Sequence, residues 1–257
     1  MTAYPNRSQP RRISLIIPCF NEAQRLNLQE FHRFLGQSGD VRVFFVDDGS
    51  RDETPELLKS VQERFPDQVQ VLTNTRNQGK AEAVRGGINF ALSNGQQEMV
   101  GYWDADLATP LESVSRLIQI LDGNSHVDMV FGSRVKLCGR HIERQPMRHY
   151  LGRVFATVVS TMLRIAIYDT QCGAKIFRVT PETGRIYAEP FLSKWVFDVE
   201  ILARYLQLYN ASTLEKKIYE YPLETWADVA GSKVRPKDFF AAFVDIARIK
   251  RKYFPQT

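Results

Sequence analysis

The 257-residue sequence has no long apolar run: its longest, from Val154 to Tyr168, is broken by Ser160, Thr161 and Arg164. Spanning a bilayer takes roughly twenty apolar residues, so no transmembrane helix is expected. Cysteine is scarce, with only Cys19, Cys138 and Cys172 and no C-x-x-C pair. That spacing argues against a disulfide framework or a cysteine zinc site, and a reducing cytoplasm fits best. The four histidines, His32, His126, His141 and His149, show no metal-ligand spacing. A G-x-G-x-x-G turn is missing after every expected strand, and there is no Gly-x-Ser-x-Gly elbow. The phosphate loop G-x-x-x-x-G-K-[ST] fails twice despite Gly79-Lys80, because Asn74 stands at its first glycine and Ala81 at its hydroxyl position. Residues 1–12, with Pro5, Pro10 and three arginines, lack the apolar run of a signal peptide and read as a disordered basic lead-in.

What is present is the composition of one large globular domain, 44% apolar and 25% charged. Its first half alternates strand and helix patterns. Strands are expected at Ile13–Pro18, Val41–Val46, Val69–Leu72, Met99–Trp103 and Val127–Phe131. The helices between them carry Phe31 and Leu35, Leu58 and Val61, Val84 and Ile88, and Leu117 and Leu121 on their inner faces. Asn21, Thr54 with Pro55, and Thr109 with Pro110 read as helix starts. This spacing predicts βαβ units, a mostly parallel central sheet and helices on both faces. The second half is less regular. Helices are expected at Arg148–Ile167, Phe197–Leu208 and Pro236–Tyr253, with strands at Lys175–Arg178 and Lys216–Glu220.

The net charge of +5 is modest, but its distribution is uneven. Arg134, Lys136, Arg140, Arg144, Arg148 and Arg153 face a single acid, Glu143, and the chain ends with Lys250, Arg251 and Lys252. Charge alone leaves open a solvated loop, a phosphate-bearing substrate and an anionic membrane. Nucleic acid is disfavoured, because the basic stretch has neither interleaved aromatics nor a recognisable binding motif.

Ligands of open α/β sheets bind beyond the carboxyl ends of the strands. Acidic turns gather at those ends: Asn21-Glu22, Asp47-Asp48-Gly49-Ser50 and Asp104-Ala105-Asp106. Any one of them fits an ordinary strand-to-helix turn, but three on one rim point to a site. Two carboxylates separated by one residue suit a hard cation, and a nucleotide diphosphate would complete its coordination. A phosphatase with D-x-D-x-T is a rival, weakened by Ala108 where threonine belongs.

These motifs, taken in order, resemble the family-2 nucleotide-sugar glycosyltransferases of GT-A fold, and within them the dolichyl-phosphate and polyprenyl-phosphate hexosyltransferases. The resemblance runs from Pro18-Cys19-Phe20-Asn21-Glu22 through Val46-Asp47-Asp48-Gly49-Ser50, Asn77-Gln78-Gly79-Lys80, Asp104-Ala105-Asp106 and Gly132-Ser133-Arg134 to Asp169-Thr170-Gln171-Cys172-Gly173. It implies a glycosyltransferase domain over residues 13–235, followed by a basic amphipathic helix over 236–257 that packs on the domain or lies at the membrane surface. Pro18, Phe20, Glu22, Val46 and Asp48 would hold the base and ribose, with Lys80 and Ala105 also at the nucleotide-sugar site. Asp104 would face the nucleotide and Asp106 a Mg2+ or Mn2+ ion, both carboxylates belonging to the metal site. Arg134 and Arg148 would bind the phosphate of a lipid acceptor, and Lys233 would reach a phosphate from a late loop.

Ala108-Thr109 and Trp195-Val196-Phe197-Asp198-Val199-Glu200 look like the glucosyl branch, which implies UDP-glucose as donor. Asp198 is a candidate general base for a hydroxyl acceptor, or simply an acid at a helix N-terminus; a phosphate acceptor, already ionised at neutral pH, needs no base. The reaction implied is inverting transfer of a hexose to a polyprenyl or dolichyl phosphate at the cytoplasmic membrane face, through peripheral contact or a membrane-protein partner. Transfer to a sugar hydroxyl and a non-catalytic nucleotide-sugar binding subunit remain alternatives.

Overall fold

A computed structural model describes residues 12–95, 97–229 and 236–255, without the side chains of 148 and 236–240. The first half runs β1 (Ile13–Cys19), α1 (Leu28–Gln37), β2 (Val41–Asp47), α2 (Thr54–Arg64), β3 (Val69–Thr73), α3 (Lys80–Ser93), β4 (Met99–Trp103), α4 (Ser113–Gly123) and β5 (Met129–Ser133). The second half adds β6 (His141–Glu143), α5 (Pro146–Leu163), β7 (Ala174–Arg178), α6 (Pro181–Ala188), α7 (Phe197–Leu208), α8 (Ala211–Lys217), β8 (Ile218–Pro222), β9 (Thr225–Ala227) and α9 (Pro236–Tyr253).

The main sheet has the order β3-β2-β1-β4-β7-β5-β8. Its pairs are parallel except at β7, which runs antiparallel between β4 and β5. Alternate residues of a strand serve opposite faces. Ile16, Phe44 and Val46 join one core with α3, α5 and α7, whereas Leu15, Ile17, Val43 and Phe45 join a second core with α1, α2 and α4. Both faces are therefore covered, as a parallel sheet requires. The α/β class and mostly parallel sheet expected from the sequence are the observed ones.

Local starts differ from expectation. Asn21 caps no helix: it has a positive φ of 50° and its Oδ1 accepts the Arg51 N–H at 2.8 Å. The cap of α1 is Asn27, whose Oδ1 accepts the Glu30 N–H. Thr54 lies inside α2, its hydroxyl accepting the Glu22 N–H at 2.8 Å and donating to Asp52 at 2.6 Å. Thr109 and Pro110 precede a turn, and α4 opens only at Ser113. Lys216 and Lys217 close α8 instead of opening the following strand.

Residues 1–11 of the expected lead-in lie outside the described residues, while Arg12 pairs with Asp122 at 2.7 Å and Glu98 at 3.1 Å. The bounds of α9 match the expected helix. Ala242, Ile246 and Ile249 are buried in the core beside α7, and the Tyr253 hydroxyl donates to Glu200. Lys250, Arg251 and Lys252 are exposed. The side chains of Phe239 and Phe240 lie outside the described residues.

Candidate active site

The carboxyl ends of β1, β2, β4 and β5 and the amino end of β7 share one rim. Asp48, at the end of β2, is buried and organises the approach to α3. Its Oδ1 accepts from Asn74 Nδ2 at 2.8 Å and the Gln78 N–H at 3.0 Å, and its Oδ2 accepts the Gly79 N–H at 2.7 Å. That loop delivers Asn77 and Lys80 to the rim.

The acidic turn after β4 is held in an uncommon conformation. Leu107, with φ 53°, lies in the left-handed region, its N–H donating to Asp104 O while the Ala108 N–H donates to Asp106 Oδ1. Lys80 Nζ lies 2.5 Å from Asp104 Oδ1, and Arg25 Nη2 lies 2.6 Å from Asp106 Oδ2. Burial opposes the Lys80 charge, yet Asp104 and Asp198 hold its pKa above the ordinary lysine value. Asp106 is raised by burial and then by the Asp104 charge, against Arg25 and Lys80. Two hard carboxylates on one tight turn suit Mg2+ or Mn2+. Among the described residues no third Asp, Glu, His or Cys joins them.

Two clefts meet at this turn. One, of about 480 Å³, is lined by Pro18, Phe20, Glu22, Asp48, Ala105 and Ala242, among others. The second, of about 210 Å³, is lined by Arg134, Arg144, Arg153, Asp169, Asp198 and Trp226, among others. Lys80, Asp104, Asp106 and Trp195 border both. Most residues expected at the nucleotide-sugar site thus share one cleft. Val46 does not line either cleft: its buried side chain packs in the core, close to Gly87 of α3. Lys233 and the Arg148 side chain lie outside the described residues.

In the second cleft Arg134 is committed to a protein partner. Its Nε and Nη2 donate to the two Asp169 oxygens at 2.6 and 2.7 Å. Burial works against both charges, but the pairing outweighs it, raising Arg134 and holding Asp169 well below the usual carboxylate range. Arg153 stacks its guanidinium 3.4 Å from the Tyr168 ring centroid and donates to the Tyr168 carbonyl at 2.8 Å. Asp198 is buried at the start of α7, where its Oδ1 accepts from the Tyr102 hydroxyl and sits 2.7 Å from Lys175 Nζ. Lys175 also donates to the Thr170 and Cys172 carbonyls, at 3.0 and 2.5 Å.

Sequence reasoning missed Arg25 and Lys175. Their signals were weak, a lone arginine after Glu22 and a lysine inside an apolar strand, and only the fold turns them toward Asp106 and Asp198. Glu200 accepts from Leu192 N–H and pairs with Arg204 at 2.9 Å, away from both clefts.

A parallel sheet with its acidic turns on one rim, next to a basic cleft, is the arrangement of a nucleotide-sugar transferase. The family model "Glycosyl transferase family 2" matches residues 14–182. A dolichyl-phosphate beta-glucosyltransferase of Dictyostelium discoideum is 33% identical, over 94% of this chain and 74% of the relative. One from Mus musculus is 32% identical, over 89% and 71%. Among solved structures, glucosyl-3-phosphoglycerate synthase from Mycobacterium tuberculosis in complex with Mn2+, UDP and glucosyl-3-phosphoglycerate superposes with a TM-score of 0.67. It is 16% identical, covering 95% of this chain and 80% of that one. The chain belongs to glycosyl transferase family 2 and has the GT-A fold, as its motifs led one to expect.

Proposed function

We propose that the protein is an inverting hexosyltransferase that moves glucose from UDP-glucose to the phosphate of a dolichyl or polyprenyl lipid. The observation that carries the reading is the meeting of the two clefts at Asp104, Asp106, Lys80 and Trp195. A nucleotide on the acidic side and an anionic acceptor on the basic side are brought to a common point. The relatives named dolichyl-phosphate beta-glucosyltransferase support glucose as the sugar transferred and dolichyl phosphate as the acceptor.

Pro18, Phe20, Glu22 and Ala105 line the nucleotide side of the junction, and Asp48 fixes the loop that brings in Asn77 and Lys80. Asp104 and Asp106 would hold a divalent ion, Mg2+ or Mn2+. When bound, it neutralises charge on the leaving diphosphate. Lys80 adds a cation to that side, leaving less negative charge to build up as UDP departs. The attacking phosphate oxygen enters from the arginine-lined cleft and displaces UDP in line. A phosphate monoester has a second pKa of about 6 and attacks without a general base.

Features of α5 and α9 support contact with a membrane. Met147, Tyr150, Leu151, Val154 and Val158 form an exposed apolar stripe on α5, the helix that also gives Gly152, Arg153 and Ala156 to the basic cleft. Phe243 and Val244 of α9 are exposed next to it, with the Phe155 and Phe243 ring centroids 6.1 Å apart. Lys136, Arg140 and the terminal Lys250–Lys252 run supply charge suited to anionic lipid. Among the described residues no helix is long and apolar enough to cross a membrane.

Product analysis tests the reading. With UDP-glucose and Mn2+, polyprenyl phosphate should be glucosylated and free sugars should not; the opposite selectivity would establish a hydroxyl acceptor.

A further inference from the structure

The basic cleft contains three described arginines, and they are not equivalent. Arg134 is neutralised by two bonds to Asp169, and Arg153 is held by the Tyr168 ring and carbonyl. Arg144 has neither a hydrogen bond nor an ion pair among the described residues. Its position is nevertheless built. The segment before it pairs with β9, the Gln145 N–H donates to Asp228 Oδ2 at 3.0 Å, and the Asp228 N–H donates to Glu143 O at 3.0 Å. Opposite, α5 carries glycine at 152. A Cβ there would stand 2.5 Å from Arg144 Nη2, so the helix leaves room for the guanidinium where any other residue would press on it.

Burial and the neighbouring Arg134 charge lower Arg144 to about 10, which still leaves it cationic at neutral pH. Asp169 and Asp228 favour its charge only from a distance; a half-buried guanidinium with no hydrogen-bonded carboxylate is costly, and its fork of donors matches the oxygens of a phosphate. We propose that Arg144, not Arg134, is the side chain that binds the acceptor's phosphate group in this cleft. The assignment rests on the lipid-phosphate reading of the cleft and adds to it the residue that makes the contact. Arg134 then acts as a structural counter-ion for Asp169.

The test uses Arg144→Ala and Arg144→Lys in the full chain. The KM for polyprenyl phosphate should rise roughly tenfold to a hundredfold in Arg144→Ala, as expected for loss of a charge-assisted pair. Arg144→Lys should fall between, since it keeps the charge and loses the fork. Calorimetric affinity for UDP with Mn2+ should not change. Thermal midpoints without acceptor should be equal to or above wild type, because a half-buried cation with no hydrogen bond or ion pair among the described residues has been removed. An unchanged acceptor KM, or a loss of UDP affinity, overturns the assignment.

A binding arm separates this inference from the acceptor reading. Trp226 lines the same cleft, so its fluorescence can be followed with polyprenyl phosphate, polyprenol and inorganic phosphate. Arg144-dependent binding of inorganic phosphate without turnover of polyprenyl phosphate would sink the lipid acceptor and keep the anion site. Equal responses of wild type and Arg144→Ala to both phosphates would sink the anion site.

Discussion

Gly173 lies so close to Asp104 that a Cβ at position 173 would stand 1.9 Å from Asp104 Oδ2. The contact arises because β7 runs antiparallel to β4, with Trp103 opposite Ala174 and the Asp104 N–H donating to Gly173 O at 2.9 Å. Gly173→Ala must therefore displace the Asp104 carboxylate or the loop before β7. Metal-dependent UDP affinity by calorimetry should fall about as far as in Asp106→Ala, at least tenfold, while both proteins keep their folded far-UV spectra. Affinity for UDP with Mn2+ equal to wild type in Gly173→Ala would show that Asp104 is not needed there.

The buried Arg134–Asp169 pair sets a pH dependence of stability. Asp169 is held well below the unfolded carboxyl value of about 3.9, so the unfolded chain binds more protons in acid. The pair's contribution is complete above about pH 4 and is lost as pH falls through the lower folded value. Asp169→Asn should cost about 3–5 kcal/mol in urea unfolding at pH 7, because it strands a buried guanidinium. The gap between variant and wild type should stay constant from pH 7 down to about pH 5 and narrow only in stronger acid. A gap that closes near pH 6 would assign the effect to another group.

Strand–helix alternation and the three acidic turns were legible because each rests on short-range pattern: continuous apolar runs in β1 and β2, and Asp, Asn and Gly after strands. The insertion of β7 between β4 and β5 was not legible, since an apolar run such as Ala174–Arg178 carries no mark of its direction. Among the described residues the three-residue strands β6 and β9 pair only with each other, and their pairing spans too much sequence for pattern reading. The basic stretch was visible as charge, but only the fold shows which arginines are already paired. Motif order pointed to Arg134, whereas the Asp169 carboxylate that neutralises it lies 35 positions further along the chain. Asn21 looked like a helix cap because asparagine suits both caps and left-handed turns, and here the turn wins.

The exposed stripe on α5 leads to a measurable membrane contact. Tyr150 and Val154 are 70% and 56% exposed, one turn apart on the helix that borders the basic cleft. Replacing both with Asp should reduce co-sedimentation with vesicles containing phosphatidylserine at least severalfold, because each change removes apolar contact and adds charge of the wrong sign. Glucosylation of a short water-soluble prenyl phosphate should be unaffected. Equal pelleting of variant and wild type would remove α5 from the membrane contact and leave α9 to be tested in its place.

Asp198 decides the chemical nature of the acceptor. Its carboxylate is buried, and its Oδ1 is shared between Tyr102 and Lys175, contacts that hold it in the basic cleft, which Lys80 also lines. If the nucleophile is a lipid phosphate, the dianion attacks unaided and Asp198→Asn should keep turnover within about tenfold of wild type. Part of that loss would come from stability, since Lys175 would remain buried without its counter-charge; urea unfolding of Asp198→Asn against Lys175→Met measures this part. If the nucleophile is a hydroxyl, removal of a general base should cost two to four orders of magnitude, roughly, in kcat. Steady-state kinetics under conditions where the variant is fully folded distinguish the two. An inactive Asp198→Asn that still binds UDP-glucose, together with a normal acceptor KM in Arg144→Ala, would replace the lipid-phosphate acceptor with a sugar hydroxyl.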